Sequence, residues 1–318
     1  MFERQVIFEK IGKEKQKLIE SSKITIIGIG AIGTNTAESL VRCGVKELIL
    51  IDNDKIEEHN LQRQVLFTKE DIGDFKVDVA EKKLKLINNI NIKFIKERLT
   101  KENIYLINSD LILDCTDNIE TRFLINEFCK KERLPWIYCS AIESTGMVLV
   151  VTPKTPCFSC IIKEPTETLG SCEENGILNT IAKTISSIQV TEALKILTKQ
   201  QPTKELIHFD IWKTKLIKTK VKKDPLCKVC QGSYENLESK TFSVKKCTSG
   251  GAFIARPLGK QELDLNKVKE NFTIIADTPV VVIIKDKFKV SCYKNGKLMI
   301  ESETLEEAEK QAERIYST

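Results

Sequence analysis

The sequence predicts an α/β fold: a mainly parallel, twisted sheet flanked by helices, with a small α+β unit at its C-terminal end. Three observations carry this expectation. Short β-rich runs alternate with helical patterns through roughly the first 130 residues, the order that builds parallel strands joined by crossover helices. A glycine-rich turn, GIGAIG, separates the first strand pattern from a helix pattern, as in Rossmann-like nucleotide folds. Beyond Gly232 a polar stretch gives way to a second group of strand patterns and a closing helix.

Taken in order, KITIIGIG reads as a buried strand, ESLVRCGV carries helical apolar spacing, and ELILIDND is the next strand. VDVAEKKLKLINN is a helix leading into the strand-like NIKFIKERL. DLILDCTDN and TRFLINEFCKKERL repeat the strand-to-helix step, and PWIYCSAIESTGMVLVVTP continues the sheet. From Pro153 a loop rich in Cys, Pro and Gly leads to TIAKTISSIQVTEALKILT, with helical spacing, and to the strand-like LIHFDIWKTKLIKTKV. The main unit is expected to span residues 1–232. Residues 233–318 hold a connector, SYENLESKTFSVKK, and then the small α+β unit. There FTIIAD and PVVVIIKDKFKVSCYKNGKLMIES read as strands, Asn295-Gly296 as a tight hairpin turn, and TLEEAEKQAERIY as a helix whose Thr304 and Glu307 have capping-box spacing.

A chain of 318 residues with 41% hydrophobic content can bury one substantial core with a small second domain attached. No apolar run approaches the length of a bilayer span, and the N-terminus MFERQVIFEKIGKEKQ is charged from its third residue. A membrane partner and a secretory signal are therefore not expected, and the cytosol is the expected location. Fifty Lys and Arg against 45 Asp and Glu leave a net charge of +5, spread too widely to argue for nucleic acid. The one locally basic stretch is KTKLIKTKVKK, Lys213 to Lys223, where lysines partly alternate with apolar residues. It reads as a half-exposed sheet edge guarded by lysine, with a docking face for an acidic partner as the alternative. The eleven cysteines are scattered and odd in number, which favours metal or thiol chemistry over a disulfide framework.

Gly28, Gly30 and Gly33 form GxGxxG between a strand and a helix, and Asp52 ends the next strand. In that frame the glycines permit a tight turn and close approach of a phosphate to the helix N-terminus, while the acid can accept from ribose hydroxyls. A dinucleotide enzyme needs no dense polar cluster after that acid, yet Asn60, Arg63, Gln64 and Lys76 follow it. An arginine fork and a lysine point charge suit polyphosphate chemistry, because they neutralise charge that builds at phosphorus. Cys157 with Cys160 and Cys227 with Cys230 form two CxxC knuckles, a set suited to a closed tetrahedral zinc site; a redox pair is the alternative.

GIGAIG, LIDNDKIEEHNLQRQ, the KxxxA of KVDVA, DCTDN and the two CxxC motifs together resemble the MoeB/ThiF branch of the ubiquitin-activating-enzyme-like superfamily, over roughly residues 1–232 and in the same order. The resemblance implies an enzyme that uses Mg-ATP to adenylate the C-terminal Gly-Gly carboxylate of a small ubiquitin-fold protein, releasing pyrophosphate. It implies that Asp52 holds the ribose, that Asn60, Arg63 and Lys76 contact the phosphates, and that Asp117 of DCTDN binds Mg²⁺. Asp54, Gln64 and Asn118 are implied in the same nucleotide site. Arg4 matches an arginine that reaches into the other subunit of a homodimer. Cys172, in GSCEENGI, matches a loop cysteine that some relatives use for a thioester, acyl-disulfide or persulfide step; otherwise a separate sulfur donor is expected. His59 and His208 match no required position. Cys43, Cys115, Cys129, Cys139 and Cys292 read as small core fillers, and Cys247 is unassigned. Competing readings are a tRNA threonylcarbamoyladenosine dehydratase, a non-catalytic partner subunit and an NAD-dependent oxidoreductase.

Overall fold

The computed structural model describes residues 1–163, 175–238, 242–247, 252–257 and 263–316. They form two units, Met1–Leu237 and Glu238–Thr318. Among them, no helix is long and apolar enough to cross a membrane.

The first unit is built on β1 Lys23–Ile27, β2 Glu47–Ile51, β3 Asn91–Ile95, β4 Leu111–Asp114, β5 Trp136–Ile142, β6 Thr145–Val151, β7 Glu205–Asp210 and β8 Lys215–Lys220, in the sheet order β3-β2-β1-β4-β5-β6-β7-β8. From β3 to β5 every pair is parallel. From β5 onward the pairs are antiparallel. The change comes at the turn between Ile142 and Thr145, too short for a parallel crossover; there Glu143 takes φ +52. The helices are α1 Glu3–Ile7, α2 Gly12–Ile19, α3 Ala31–Cys43, α4 Lys76–Ile87, α5 Ile119–Lys131, α6 Asn179–Leu197 and the short α7 Glu235–Glu238.

Alternation along the strands feeds two cores. Ile24, Ile26, Leu48, Leu50, Leu111 and Leu113 pack with residues of α3, α4 and α6. Ile27, Ile49, Ile51 and Ile112 pack with residues of α5 and the cysteine knuckles. Burial on both faces explains why these strands read as continuous apolar runs. β8 is the edge strand, as the lysines suggested, but every one of its residues is exposed rather than every second one. It is outermost, and among the described residues it pairs only with β7.

The second unit is a six-stranded antiparallel sheet, β9 Phe242–Lys246, β10 Phe253–Pro257, β11 Thr273–Asp277, β12 Val281–Lys285, β13 Lys289–Tyr293 and β14 Leu298–Glu301, ordered β11-β12-β13-β14-β10-β9. With α8 Leu265–Asn271 and α9 Leu305–Tyr316 it makes its own core of Val282, Ile284, Val290, Cys292, Leu298 and Ile300 against Val268, Ala308, Ala312 and Ile315. Thr304 caps α9 as the spacing implied: its hydroxyl accepts from the Glu307 N–H at 3.3 Å and faces the Glu307 carboxylate at 3.2 Å. The Asn295-Gly296 turn is a longer loop than a two-residue hairpin. Tyr293 N–H donates to the Lys297 carbonyl and Gly296 N–H to the Tyr293 carbonyl, with positive φ at Gly296 and not at Asn295, the pattern of a type I turn plus bulge.

The unit boundary falls at 237/238 instead of 232/233, and the stretch read as a connector carries α7 and β9. Leu237 is buried among α5 residues, and Glu127 of α5 accepts from Asn236 Nδ2 at 2.5 Å and from the Leu237 N–H at 3.0 Å.

Candidate active site

The strands leave β1 in opposite directions, β2 and β3 on one side and β4 and β5 on the other. This is the topological switch point of the sheet, where a crevice opens at the carboxyl ends of β1 and β4. The glycine turn crosses it. A Cβ on Gly28 would lie 2.8 Å from the Cys115 carbonyl oxygen, and one on Gly33 would lie 1.9 Å from the Gly28 carbonyl oxygen. Those two glycines therefore serve close packing of β1, α3 and the turn after β4. Gly30 is the residue before α3, and a Cβ there would meet only Gln64 Nε2, at 3.9 Å. It leaves open the space where a phosphate can meet the N-terminus of α3.

Asp52 follows β2 and braces this turn. One carboxylate oxygen accepts from the Ile29 N–H at 2.6 Å, the other from the Asp54 N–H at 2.8 Å. Burial pushes its carboxyl above the usual aspartate value, against the opposing pull of the Lys76 charge and those two N–H groups. Lys76 opens α4 because its segment zips onto that of Asp54: Lys76 N–H donates to the Asp54 carbonyl, Ile56 N–H to Asp74, and Gly73 N–H to Ile56. Its ammonium, with 8% of the side chain exposed, lies 2.8 Å from Asp54 Oδ2.

The turn that begins at Glu58 carries the rest of the set. Asn60 is buried and its Oδ1 accepts from the Glu57 N–H at 3.0 Å, while its own carbonyl receives the N–H groups of Arg63 and Gln64. Arg63 is held by one bond, Nη1 to the His59 carbonyl at 2.9 Å, and has no carboxylate partner among the described residues. Gln64 is 4% exposed and its Oε1 is buried without a hydrogen-bond partner. A guanidinium without a carboxylate partner among the described residues, and an unmet amide oxygen on the residue beside Gly30, fit a polyphosphate ligand.

At the end of β4, Asp117 is exposed and makes no ion pair or hydrogen bond among the described residues. A carboxylate in that state fits a hard cation carried on phosphate oxygens. Asn118 is spent locally, as the cap of α5, its Oδ1 accepting from Thr121 N–H at 2.8 Å and Thr121 Oγ1 at 3.0 Å. Arg4 is exposed on α1 with no partner among the described residues, and no contact links it to the crevice. Cys172 lies outside the described residues.

The four knuckle cysteines converge, all Sγ atoms lying within 4.8 Å of one another. Four of the separations are 3.5, 3.6, 3.6 and 3.8 Å. A tetrahedron with Zn–S bonds of about 2.3 Å has ligand sulfurs about 3.8 Å apart, so the cage fits zinc. The first knuckle is seated on α5: Asn126 accepts from the Phe158 N–H at 3.0 Å and donates to Ser159 Oγ at 2.9 Å. Cys43, Cys115, Cys129, Cys139 and Cys292 behave as fillers, each thiol pushed above its ordinary pKa by burial, that of Cys292 to about 12.

Two buried polar groups were not anticipated. Gln189 of α6 accepts from Thr36 Oγ1 at 2.8 Å and donates to the Asp114 and Ile137 carbonyls, tying α3, β4 and β5 together. Its signal was available: it falls in the stripe Ile181, Ile185, Gln189, Ala193, where only a committed polar residue belongs. The other is the ion pair of Asp114 with Arg122.

A glycine turn at the switch point of a mainly parallel sheet, a polar cluster after β2 and a four-cysteine cage are together the arrangement of the ubiquitin-activating type of enzyme, and the family match bears this out. The chain belongs to the ThiF family, which it matches over residues 2–229. It is 31% identical over 315 residues to the sulfur carrier protein ThiS adenylyltransferase of Bacillus subtilis, covering 94% of each chain. It is 29% identical to the SAMP-activating enzyme E1 of Haloferax volcanii, covering 77% of this chain and 94% of that one. The Bacillus alignment therefore extends into the C-terminal unit. The fold is shared with Escherichia coli MccB, solved with MccA-N7isoASN, at a TM-score of 0.65 and 21% identity over 72% of this chain and 74% of the other. The expected class stands: named relatives are adenylyltransferases of this superfamily.

Proposed function

We propose that this chain uses Mg-ATP to adenylate the C-terminal Gly-Gly carboxylate of a small ubiquitin-fold sulfur-carrier or modifier protein, releasing pyrophosphate. The observation that supports the reading is the open glycine turn, with Gln64 beside Gly30 and Asp52 bracing it, and Lys76 held on the segment after Asp52 through Asp54; the thiol packed against the turn, Cys115, is buried and its pKa is pushed up by that burial, which leaves it a poor nucleophile. That pattern suits a reaction in which the substrate carboxylate itself attacks the α-phosphorus and the protein supplies position and charge. The α3 N-terminus and Gly30 receive the phosphates, and Asp52 exchanges its backbone N–H partners for ribose hydroxyls. Arg63 bears on the phosphates with a guanidinium that no carboxylate among the described residues engages. Lys76 exchanges Asp54 for a phosphate oxygen, and the two cations offset charge developing on the leaving pyrophosphate. Asp117 would hold the Mg²⁺ that neutralises phosphate oxygens when bound. Cys157, Cys160, Cys227 and Cys230 would hold a structural zinc.

The same reading includes a homodimer, with Arg4 completing the partner's site, and sulfur delivered by a separate donor or through Cys172. The test is ATP-pyrophosphate exchange by the purified protein with each small Gly-Gly-ending ubiquitin-fold protein of its source, with a partner lacking the last glycine as control. Exchange that needs the intact end supports the reading. Mg-ATP binding without exchange on any such partner refutes it.

A further inference from the structure

Beneath the turn that carries Asp117 lies the buried pair Asp114 and Arg122, with side chains 0% and 8% exposed and Arg122 Nε 3.2 Å from Asp114 Oδ2. Between them they engage the backbone of Thr116 from both sides. Asp114 Oδ1 accepts from the Thr116 N–H at 2.9 Å and from its hydroxyl at 2.7 Å. Arg122 Nη2 donates to the Thr116 carbonyl, and also to the Cys139 carbonyl of β5 at 3.2 Å. The guanidinium lies over the Tyr138 ring, 4.9 Å from its centroid. One side chain thus ties the turn after β4 to β5.

Stability alone does not account for such a pair. Desolvating two charges costs about as much as their attraction returns, and apolar replacements of buried pairs are often neutral. What the pair supplies is geometry. With every polar group of Thr116 engaged, the next residue leaves the turn in one direction, and α5 starts immediately after it at the Asn118 cap. No hydrogen bond joins Arg122 to Asp117, and the guanidinium makes its ion pair with Asp114. Asp117 follows the fixed Thr116 directly, and its carboxylate makes no hydrogen bond or ion pair among the described residues while lying in the field of the Arg122 charge.

We infer that Arg122, together with Asp114, is a positioning residue that aims the Asp117 carboxylate at a magnesium ion carried by the nucleotide. The inference rests on the Mg-ATP reading above. Groups that orient a metal ligand from behind typically cost on the order of 10- to 100-fold in metal affinity when changed.

The test is calorimetric ATP binding by the full-length protein across a Mg²⁺ titration, compared with Arg122→Lys. Lysine keeps the charge opposite Asp114 but lacks the planar fork that reaches two carbonyls. The expected result is an unchanged ATP affinity without Mg²⁺ and a Mg²⁺ midpoint raised about tenfold or more, with saturating Mg²⁺ restoring tight binding. Asp117→Asn should show the same shift, and the double variant little more than either single change, because both act through one ligand. If Arg122→Lys fails to fold, Asp114→Asn, nearly isosteric, carries the same measurement. The inference is overturned if the midpoint is unmoved, if affinity falls equally with and without Mg²⁺, or if the unmodified protein binds ATP indifferently to Mg²⁺. Because binding is read directly, a protein that binds Mg-ATP but exchanges no pyrophosphate defeats the proposed function while leaving this inference to its own data.

Discussion

If the cysteine cage holds the proposed zinc, stripping it should unfold the first unit well below its normal melting temperature. Cys157 and Cys227 are 70 residues apart in sequence, so a metal joining them closes a long loop. Treated as a cross-link, such a closure is worth about 4 kcal/mol of chain entropy. In a unit of this size each kcal/mol moves the melting temperature by about 2–4 °C, which predicts a fall of about 8–16 °C. The assay is metal content by mass spectrometry together with thermal unfolding followed by circular dichroism, on the protein as purified, after chelation, and for Cys230→Ser. Because Asn126 seats the first knuckle on α5, ATP binding should weaken along with the fold. Protein that purifies without zinc, presents four freely reactive thiols at these positions and melts unchanged after chelation would refute the reasoning.

Gly33→Ala should abolish nucleotide binding and reduce folded yield, since its Cβ would stand 1.9 Å from a backbone oxygen; Gly30→Ala, with 3.9 Å of clearance, should fold normally and weaken ATP binding only by crowding the phosphates, as separate melting and binding curves would show. Lys76→Met should lower exchange on the order of 10² to 10³-fold while leaving partner binding, followed by a pull-down with the purified ubiquitin-fold protein, nearly intact. Asp71 feels partial burial pushing its pKa up, but the Lys83 ammonium and the hydroxyl and N–H of Thr68 outweigh this and hold it below the usual aspartate value. Its contribution is therefore present above the unfolded pKa and is lost as pH falls through the lower folded one. Asp71→Asn should cost about 1–2 kcal/mol at neutral pH by urea unfolding, and the gap to the unmodified protein should narrow below pH 4 or so; a gap independent of pH would refute the assignment.

The core of the fold was legible because burial on both faces of a parallel sheet leaves uninterrupted apolar runs such as ITII and LILI, and because turn glycines punctuate them. The cage was legible because two CxxC spacings in one chain admit few other uses. What sequence could not show was which polar residues would be spent on packing. Asn118 and Asp117 sit side by side in DCTDN, yet one caps a helix and the other makes no hydrogen bond or ion pair among the described residues. Nothing in their spacing separates those fates; the start of α5 does. The connector misread has a similar cause. Glu235 to Glu238 is polar and short, and what draws it back onto the first unit is the burial of Leu237 among α5 residues and the hydrogen bonds to Glu127, far earlier in the chain.

Four aspartates lie at the ends of β2 and β4, and their surroundings assign them different work. Asp52 is bound to two backbone N–H groups, so it can release them to a neutral donor such as a ribose hydroxyl but is poorly placed to take a cation. Asp54 is occupied by the Lys76 ammonium; when a phosphate draws that lysine away, its exposed carboxylate is left facing solvent at little cost. Asp114 is buried against Arg122 and Thr116, and exposing it to a metal would require dismantling the turn. Asp117 alone among the four has a carboxylate that makes no hydrogen bond or ion pair among the described residues. A divalent cation takes carboxylate oxygens as ligands, and of these four carboxylates the one that would give up no hydrogen bond or ion pair on ligation is Asp117, which is why the proposed magnesium is placed there.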